Sequence, residues 1–207
     1  MKLLDVEFAG ALASPRGRVP GDLAQVAFAG RSNVGKSSLI NRVLARTRTP
    51  IARVSATPGK TQEINFYRVN AQLASGHPAP FYLVDLPGYG YARAPDAVRA
   101  RWGPLIENYL ADATALRGVI LLLDMRHEPT ALDLQMFEYL GQLGIPVLFV
   151  LTKADKLKAN AAEKREADLR KALGLPVEQV IAFSAKTGAG REALLDALDA
   201  LLTEERP

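Results

Sequence analysis

The chain has 207 residues, 48% of them hydrophobic and 23% charged, with a net charge of +4. That balance fits one globular core and excludes a disordered or low-complexity chain. The lack of cysteine excludes a disulfide framework and a thiolate zinc site.

The charge is unevenly spread. Residues 1–60 hold 10 Lys and Arg against 3 Asp and Glu, whereas residues 61–207 hold 16 against 19. An asymmetric positive field attracts polyanions, although a solvated face reads the same way. The opening MKLLDVEFAG carries Asp5 and Glu7 inside its apolar stretch, so it does not read as a secretory signal. The longest apolar runs have strand length and are far too short to span a bilayer. These features predict a cytoplasmic protein without a membrane span.

In chain order, β-rich apolar runs at 3–8, 25–29, 63–69, 81–85, 118–124, 146–152 and 179–184 predict seven strands. Helical spacing marks 36–45, 95–111, 130–143, 160–173 and 190–203, with Gly103-Pro104 able to kink or split the second of these. Run-on apolar strands between helices predict an α/β fold with a mainly parallel central sheet and helices on both faces. Strands 63–69 and 81–85 have no helix between them, so they predict one antiparallel hairpin. Neither Pro- and Gly-containing loop, 14–22 or 75–80, has the length of a domain linker. The expectation is therefore a single domain over 1–207, with residues 1–22 as an N-terminal strand and loop extension.

The first chemical signal follows the strand 25–29. Gly30-Arg31-Ser32-Asn33-Val34-Gly35-Lys36-Ser37 is G-x-x-x-x-G-K-S, and Ser38 continues into a helical pattern. Glycines let the backbone N–H groups curl around phosphate oxygens, and the helix start adds positive potential. Lys36 would reach the β- and γ-phosphates and the Ser37 hydroxyl would ligate Mg²⁺. This motif predicts a purine nucleoside triphosphate without naming the base.

The base is read further on. A strand runs into Thr152-Lys153-Ala154-Asp155. The two oxygens of Asp155 suit the N1–H and exocyclic amine of guanine, and adenine lacks that pair of donors. Lys153 can lay its aliphatic stem along the base and the phosphate loop. A further strand ends at Phe183-Ser184-Ala185, where a backbone N–H can donate to the guanine carbonyl. Both turns stand at the carboxyl ends of strands, the edge where open α/β sheets bind ligands.

Between these lie candidate sensors of the γ-phosphate. Asp85-Leu86-Pro87-Gly88 offers a carboxylate to Mg²⁺ through water and the Gly88 N–H to phosphate. Gly59-Lys60-Thr61-Gln62-Glu63 offers Thr61 as a second hydroxyl ligand to the metal, with Thr57 as a competitor. The weakly patterned segment 46–62 suits a loop that orders around γ-phosphate. The expected catalytic set is Lys36, Thr61, Asp85 and Gly88, with Ser37 and Thr61 on the metal. His77, His127 and the Gly188–Gly190 pair read as loop residues rather than site residues.

The ordered set GRSNVGKS, PGKTQ, DLPGYGYA, TKAD and FSA, with Trp102 some residues later, resembles the EngB (YihA/YsxC) family of Era-like bacterial GTPases. The resemblance covers nearly the whole chain. It implies a Ras-like G domain of the P-loop NTPase class, GTP and GDP as ligands, and Mg²⁺-dependent GTP hydrolysis. It also implies a partner in the large ribosomal subunit precursor, with its rRNA and proteins, and a link to cell division and septation. A monomer is expected. Tyr89 stands where Ras-type proteins place the water-orienting Gln, so intrinsic turnover is expected to be slow. In related potassium-activated GTPases an Asn at the place of Asn33 helps hold a monovalent cation, which makes K⁺ a candidate second cation. Arg42, Arg46, Arg48, Arg53, Lys60, Arg93, Arg99 and Arg101 are candidate rRNA contacts. The competing readings are a nucleotide-dependent scaffold at the division site and a P-loop small-molecule kinase.

Overall fold

The apolar runs pair side by side in one sheet. The computed structural model describes the chain except residues 16, 18, 53–62, 91–95 and 204–207, and describes only the backbone of 96–102. Its strands are β1 (Lys2–Leu12), β2 (Ala24–Gly30), β3 (Ile64–Gln72), β4 (Phe81–Asp85), β5 (Leu116–Asp124), β6 (Val147–Thr152) and β7 (Val180–Ala182). Their order across the sheet is β1-β3-β4-β2-β5-β6-β7. β3 pairs antiparallel with both β1 and β4, and the remaining pairings are parallel. The expected hairpin is β3–β4, and β3 is the one strand that runs against the others.

The helices are α1 (Lys36–Val43), α2 (Asp96–Asp112), α3 (Ala131–Gln142), α4 (Ala159–Leu173) and α5 (Arg191–Thr203). Because the central strands are buried on both faces, they can be apolar at successive positions. On one face Leu39, Ile40 and Val43 of α1 pack with Leu194, Leu195 and Leu198 of α5. On the other, Leu105, Ile106 and Tyr109 of α2 join Leu140 of α3 and Leu169 of α4. Phe28, Phe66, Phe81, Phe149 and Phe183 are fully buried, each worth roughly 1.5–3 kcal/mol of apolar transfer.

α2 occupies the expected stretch and runs unbroken through Pro104. Two strand boundaries depart from the sequence expectation. β1 extends to Leu12, beyond the expected end at 8, by absorbing irregularities between Leu3 and Asp5 and between Phe8 and Gly10. β7 is short, because the chain leaves the sheet at Phe183 to form a turn. Among the described residues no helix is long and apolar enough to cross a membrane.

The connection from β2 leads to β3 on one side, whereas that from its neighbour β5 leads to β6 on the other. A crevice therefore opens at the carboxyl end of β2, which is where such sheets place ligands.

Candidate nucleotide-binding site

The phosphate loop begins where β2 ends and closes where α1 begins. Gly35, just before Lys36, has φ 104°, a left-handed conformation that a side chain would strain. Val34 N–H donates to the Arg31 carbonyl at 3.1 Å, which tightens the loop. Thr152 at the end of β6 anchors it from outside, its hydroxyl donating to the Val34 carbonyl at 2.6 Å. Asn33 has φ 67°, and its carbonyl accepts from Lys153 Nζ at 2.8 Å. Asn33 thus braces the loop through its carbonyl; among the described residues its side chain makes no hydrogen bond.

Lys36 and Asp85 are both nearly buried and form a direct ion pair. Asp85 reaches this place because β4 pairs with β2 in the register Phe28↔Asp85. The segment after it continues alongside the phosphate loop. Leu86 N–H donates to Phe28 O at 3.1 Å, and Ser32 N–H donates to Tyr89 O at 2.9 Å. Gly88 backs onto Ser32 so closely that an added Cβ would lie 3.1 Å from its Oγ. The Tyr89 ring turns away and is buried, its phenol donating to Asp133 Oδ1 at 2.9 Å. Burial and the adjacent Asp133 carboxylate push the Tyr89 phenol far above its ordinary value. Asp133 Oδ2 accepts from the Thr130 N–H and hydroxyl, both at 2.8 Å, at the start of α3.

The two turns expected to read the base meet. Ala154 N–H donates to the Phe183 carbonyl at 3.1 Å, and Ser184 Oγ donates to Asp155 Oδ1 at 2.7 Å. Ser184 N–H is committed to the Ala189 carbonyl at 3.0 Å, and the Thr187 and Gly188 N–H groups to Ser184, which among the described residues leaves the N–H groups of Ala185 and Lys186 as donors in the turn. Lys153, at φ 63°, stretches back to the phosphate loop and pairs with Asp124 at 2.8 Å. Burial alone would raise the Asp124 carboxyl, but hydrogen bonds from Arg126 and Lys153 outweigh it and hold the group well below the usual carboxylate range.

The sequence motifs around Gly30–Ser38, Asp85–Gly88, Thr152–Asp155 and Phe183–Ala185 therefore converge on one sheet edge. Gly59, Lys60, Thr61 and Gln62 lie outside the described residues, and Glu63 is exposed just before β3. Arg53 and Arg93 also lie outside them, as do the side chains of Arg99, Arg101 and Trp102. Arg42 is not a free surface cation, since its guanidinium is engaged by carbonyls of the 184–187 turn. Arg46 pairs with Asp5 at 3.3 Å. Sequence reasoning missed Asp124, Asp133 and Asn41. Buried Asn41 accepts from the Ile51 and Ala52 N–H groups at 2.9 and 3.0 Å, fixing the chain ahead of residue 53. The one available signal for Asp124 was an acidic residue closing an otherwise apolar strand.

A cavity of about 270 Å³ flanks the loop between Arg31–Val34 and Asp124–Pro129. A larger one, about 650 Å³, lies at the opposite end of the sheet beside Gln25 and Tyr109, remote from every motif.

The family model described as 50S ribosome-binding GTPase matches residues 25–153. A protein from Desulforamulus reducens named "Probable GTP-binding protein EngB" is 48% identical over 99% of this chain and 96% of its own. A crystal structure of a probable GTP-binding protein engB superposes with a TM-score of 0.66 at 25% identity, over 88% of this chain and all of that one. Era in complex with MgGDPNP and a segment of 16S ribosomal RNA has the same fold (TM-score 0.70, 22% identity, 90% of this chain and 59% of that one). With its motifs gathered on one edge and full-length relatives at this identity, the chain belongs to the EngB family of GTP-binding proteins.

Proposed function

We propose that this protein is a Mg²⁺-dependent GTPase switch that acts on precursors of the large ribosomal subunit. The observation that carries the nucleotide half is the meeting of four motifs at one edge, with Lys153 reaching Asn33 and Ser184 reaching Asp155. The partner half rests on the description of the matching family model.

In this reading the N–H groups of the phosphate loop cradle the phosphates. Lys36 moves from Asp85 to the β- and γ-phosphates, which frees the Asp85 carboxylate. The Ser37 hydroxyl, Asp85 and Thr61 are hard oxygen donors of the kind Mg²⁺ takes. A buried carboxylate paired with the phosphate-binding lysine fits that ion, because a metal nucleotide would give each a new partner. Bound Mg²⁺ offsets charge on the phosphate oxygens. Gly88 offers its N–H to the γ-phosphate, Asp155 reads N1–H and the amine of guanine, and Ala185 reads its carbonyl.

Turnover is slow because Tyr89 points into the protein against Asp133 and presents nothing to the attacking water. The Asn33 side chain is exposed and makes no hydrogen bond among the described residues, which leaves it available to a K⁺ ion beside the phosphates, where a cation would offset developing charge. In this reading the protein works as a cytoplasmic, single-domain monomer, and any link to cell division would follow from a shortage of ribosomes. Single-turnover GTP hydrolysis in KCl and in NaCl at equal ionic strength tests the chemistry. The expected result is EDTA-sensitive hydrolysis that is faster in KCl, with the advantage lost in Asn33→Ala. Turnover that persists in EDTA removes the metal role, and equal rates in both salts remove K⁺.

A further inference from the structure

We infer that Arg42 is a positioning residue for guanine recognition: it holds the Ala185 N–H in place from the far end of the phosphate-binding helix. The inference rests on the nucleotide-binding reading above and adds a residue to it.

Arg42 stands in the last turn of α1. Its Nε donates to the Ala185 carbonyl at 2.6 Å, and its Nη2 donates to the Lys186 carbonyl at 2.7 Å. The planar guanidinium thus spans two successive carbonyls of the turn that follows β7, a geometry that an ammonium cannot copy. Arg191 at the start of α5 closes the arrangement. Its Nε and Nη2 donate to the Arg42 and Val43 carbonyls at 3.2 and 2.9 Å. The carboxyl end of α1, the turn and the amino end of α5 are therefore tied by two guanidinium groups.

The turn shows what this tie controls. Ser184 C=O accepts from Gly188 N–H at 2.8 Å, and Ser184 Oγ accepts from Thr187 N–H at 3.1 Å. In a trans peptide the Ala185 N–H points opposite to the Ser184 C=O, so that first plane is fixed away from Gly188. Arg42 fixes the next two planes through their carbonyls. Ala185 is held from both sides, and its N–H keeps one direction. Hydrogen bonds to a charged donor are roughly twice as strong as neutral ones, so the carbonyls do not exchange this partner for water at little cost. α1 also begins with Lys36 and Ser37, so one helix carries phosphate contacts at its first turn and base alignment at its last.

Binding titrations with GDP, 6-thio-GDP and IDP test this on the full chain. Sulfur at position 6 is a weak acceptor and reports the Ala185 contact. IDP lacks the exocyclic amine and reports Asp155. Wild type is expected to prefer GDP over 6-thio-GDP by about tenfold, the size of one net hydrogen bond. Arg42→Ala is expected to cut that ratio to about threefold or less, while the ratio of GDP to IDP is retained. Arg42→Lys falls between the two. An unchanged ratio of GDP to 6-thio-GDP in Arg42→Ala overturns the inference. So does an equal loss for all three nucleotides with a lowered Tm, which marks a purely structural residue. A wild type that does not prefer GDP over IDP instead overturns the underlying role of Asp155, which separates the two failures.

Discussion

In the proposed reading Asp155 serves packing and base selection together. Its Oδ1 accepts from Ser184 Oγ at 2.7 Å, which sets the plane of the carboxylate and joins two turns distant in sequence. Guanine needs an acceptor facing both N1–H and the amine, whereas xanthine presents a carbonyl where guanine has the amine. Asp155→Asn supplies an N–H₂ donor in place of one acceptor and keeps the shape. The expected outcome is a loss of GDP affinity of about a hundredfold, the scale of a broken charge-assisted pair, with a matching gain for XDP. Titration of both nucleotides checks it, and unchanged selectivity removes Asp155 as the base reader. Asp155 and Lys36 were legible in the sequence because each sits in a fixed spacing beside a strand end. Arg42 and Asp133 were not, because their partners are carbonyls and a phenol supplied by elements distant in sequence.

At the scale of elements, the strands and α-helices of the described residues were legible, because unbroken apolar runs and helical spacing alternate along the chain. Less legible was what the elements exchange at their ends. The segment after β4 is joined by backbone to the phosphate loop and by the Tyr89 side chain to the start of α3. That link has a pH signature. Burial raises the phenols of both Tyr89 and Tyr109 in the folded protein, with Asp133 adding to the effect at Tyr89. A raised folded pKa contributes stability that is complete below the unfolded value, near 10, and is lost as pH rises beyond it. Above about pH 10 the unfolded chain gives up each of these protons and the folded one keeps it, so stability falls by about 1.4 kcal/mol per pH unit per phenol. Tyr89→Phe keeps the ring and removes one titrating group. Denaturant unfolding between pH 9 and pH 11, roughly the window about the tyrosine pKa, is expected to show a decline smaller for the variant by about 1.4 kcal/mol over the whole window. An identical slope would show that the Tyr89 phenol ionises freely in the folded state.

On the scale of the whole molecule, the excess of positive charge in residues 1–60 is only partly available to a partner. Arg42 is engaged by the turn after β7, Lys36 by Asp85 and Arg46 by Asp5. Arg48 is exposed and, among the described residues, has no ion partner. If the partner is a large-subunit precursor, binding through rRNA phosphates releases counterions, and affinity falls linearly in log–log form with salt. Co-sedimentation with precursor particles, in GDP and in a non-hydrolysable GTP analogue over a series of KCl concentrations, reads that slope. Tighter binding is expected with the GTP analogue, since Gly88, the proposed γ-phosphate contact, follows β4 and lies against Ser32 of the phosphate loop. Arg48→Gln is expected to reduce the slope by about one, the share of a single phosphate contact. Arg165→Gln is the control: that residue lies on α4 and is held by Glu128 and the Met125 carbonyl, so the slope should not change. Binding that ignores both salt and nucleotide would rule out a phosphate-reading switch. A nucleotide effect without a salt effect would point to the protein component of the particle.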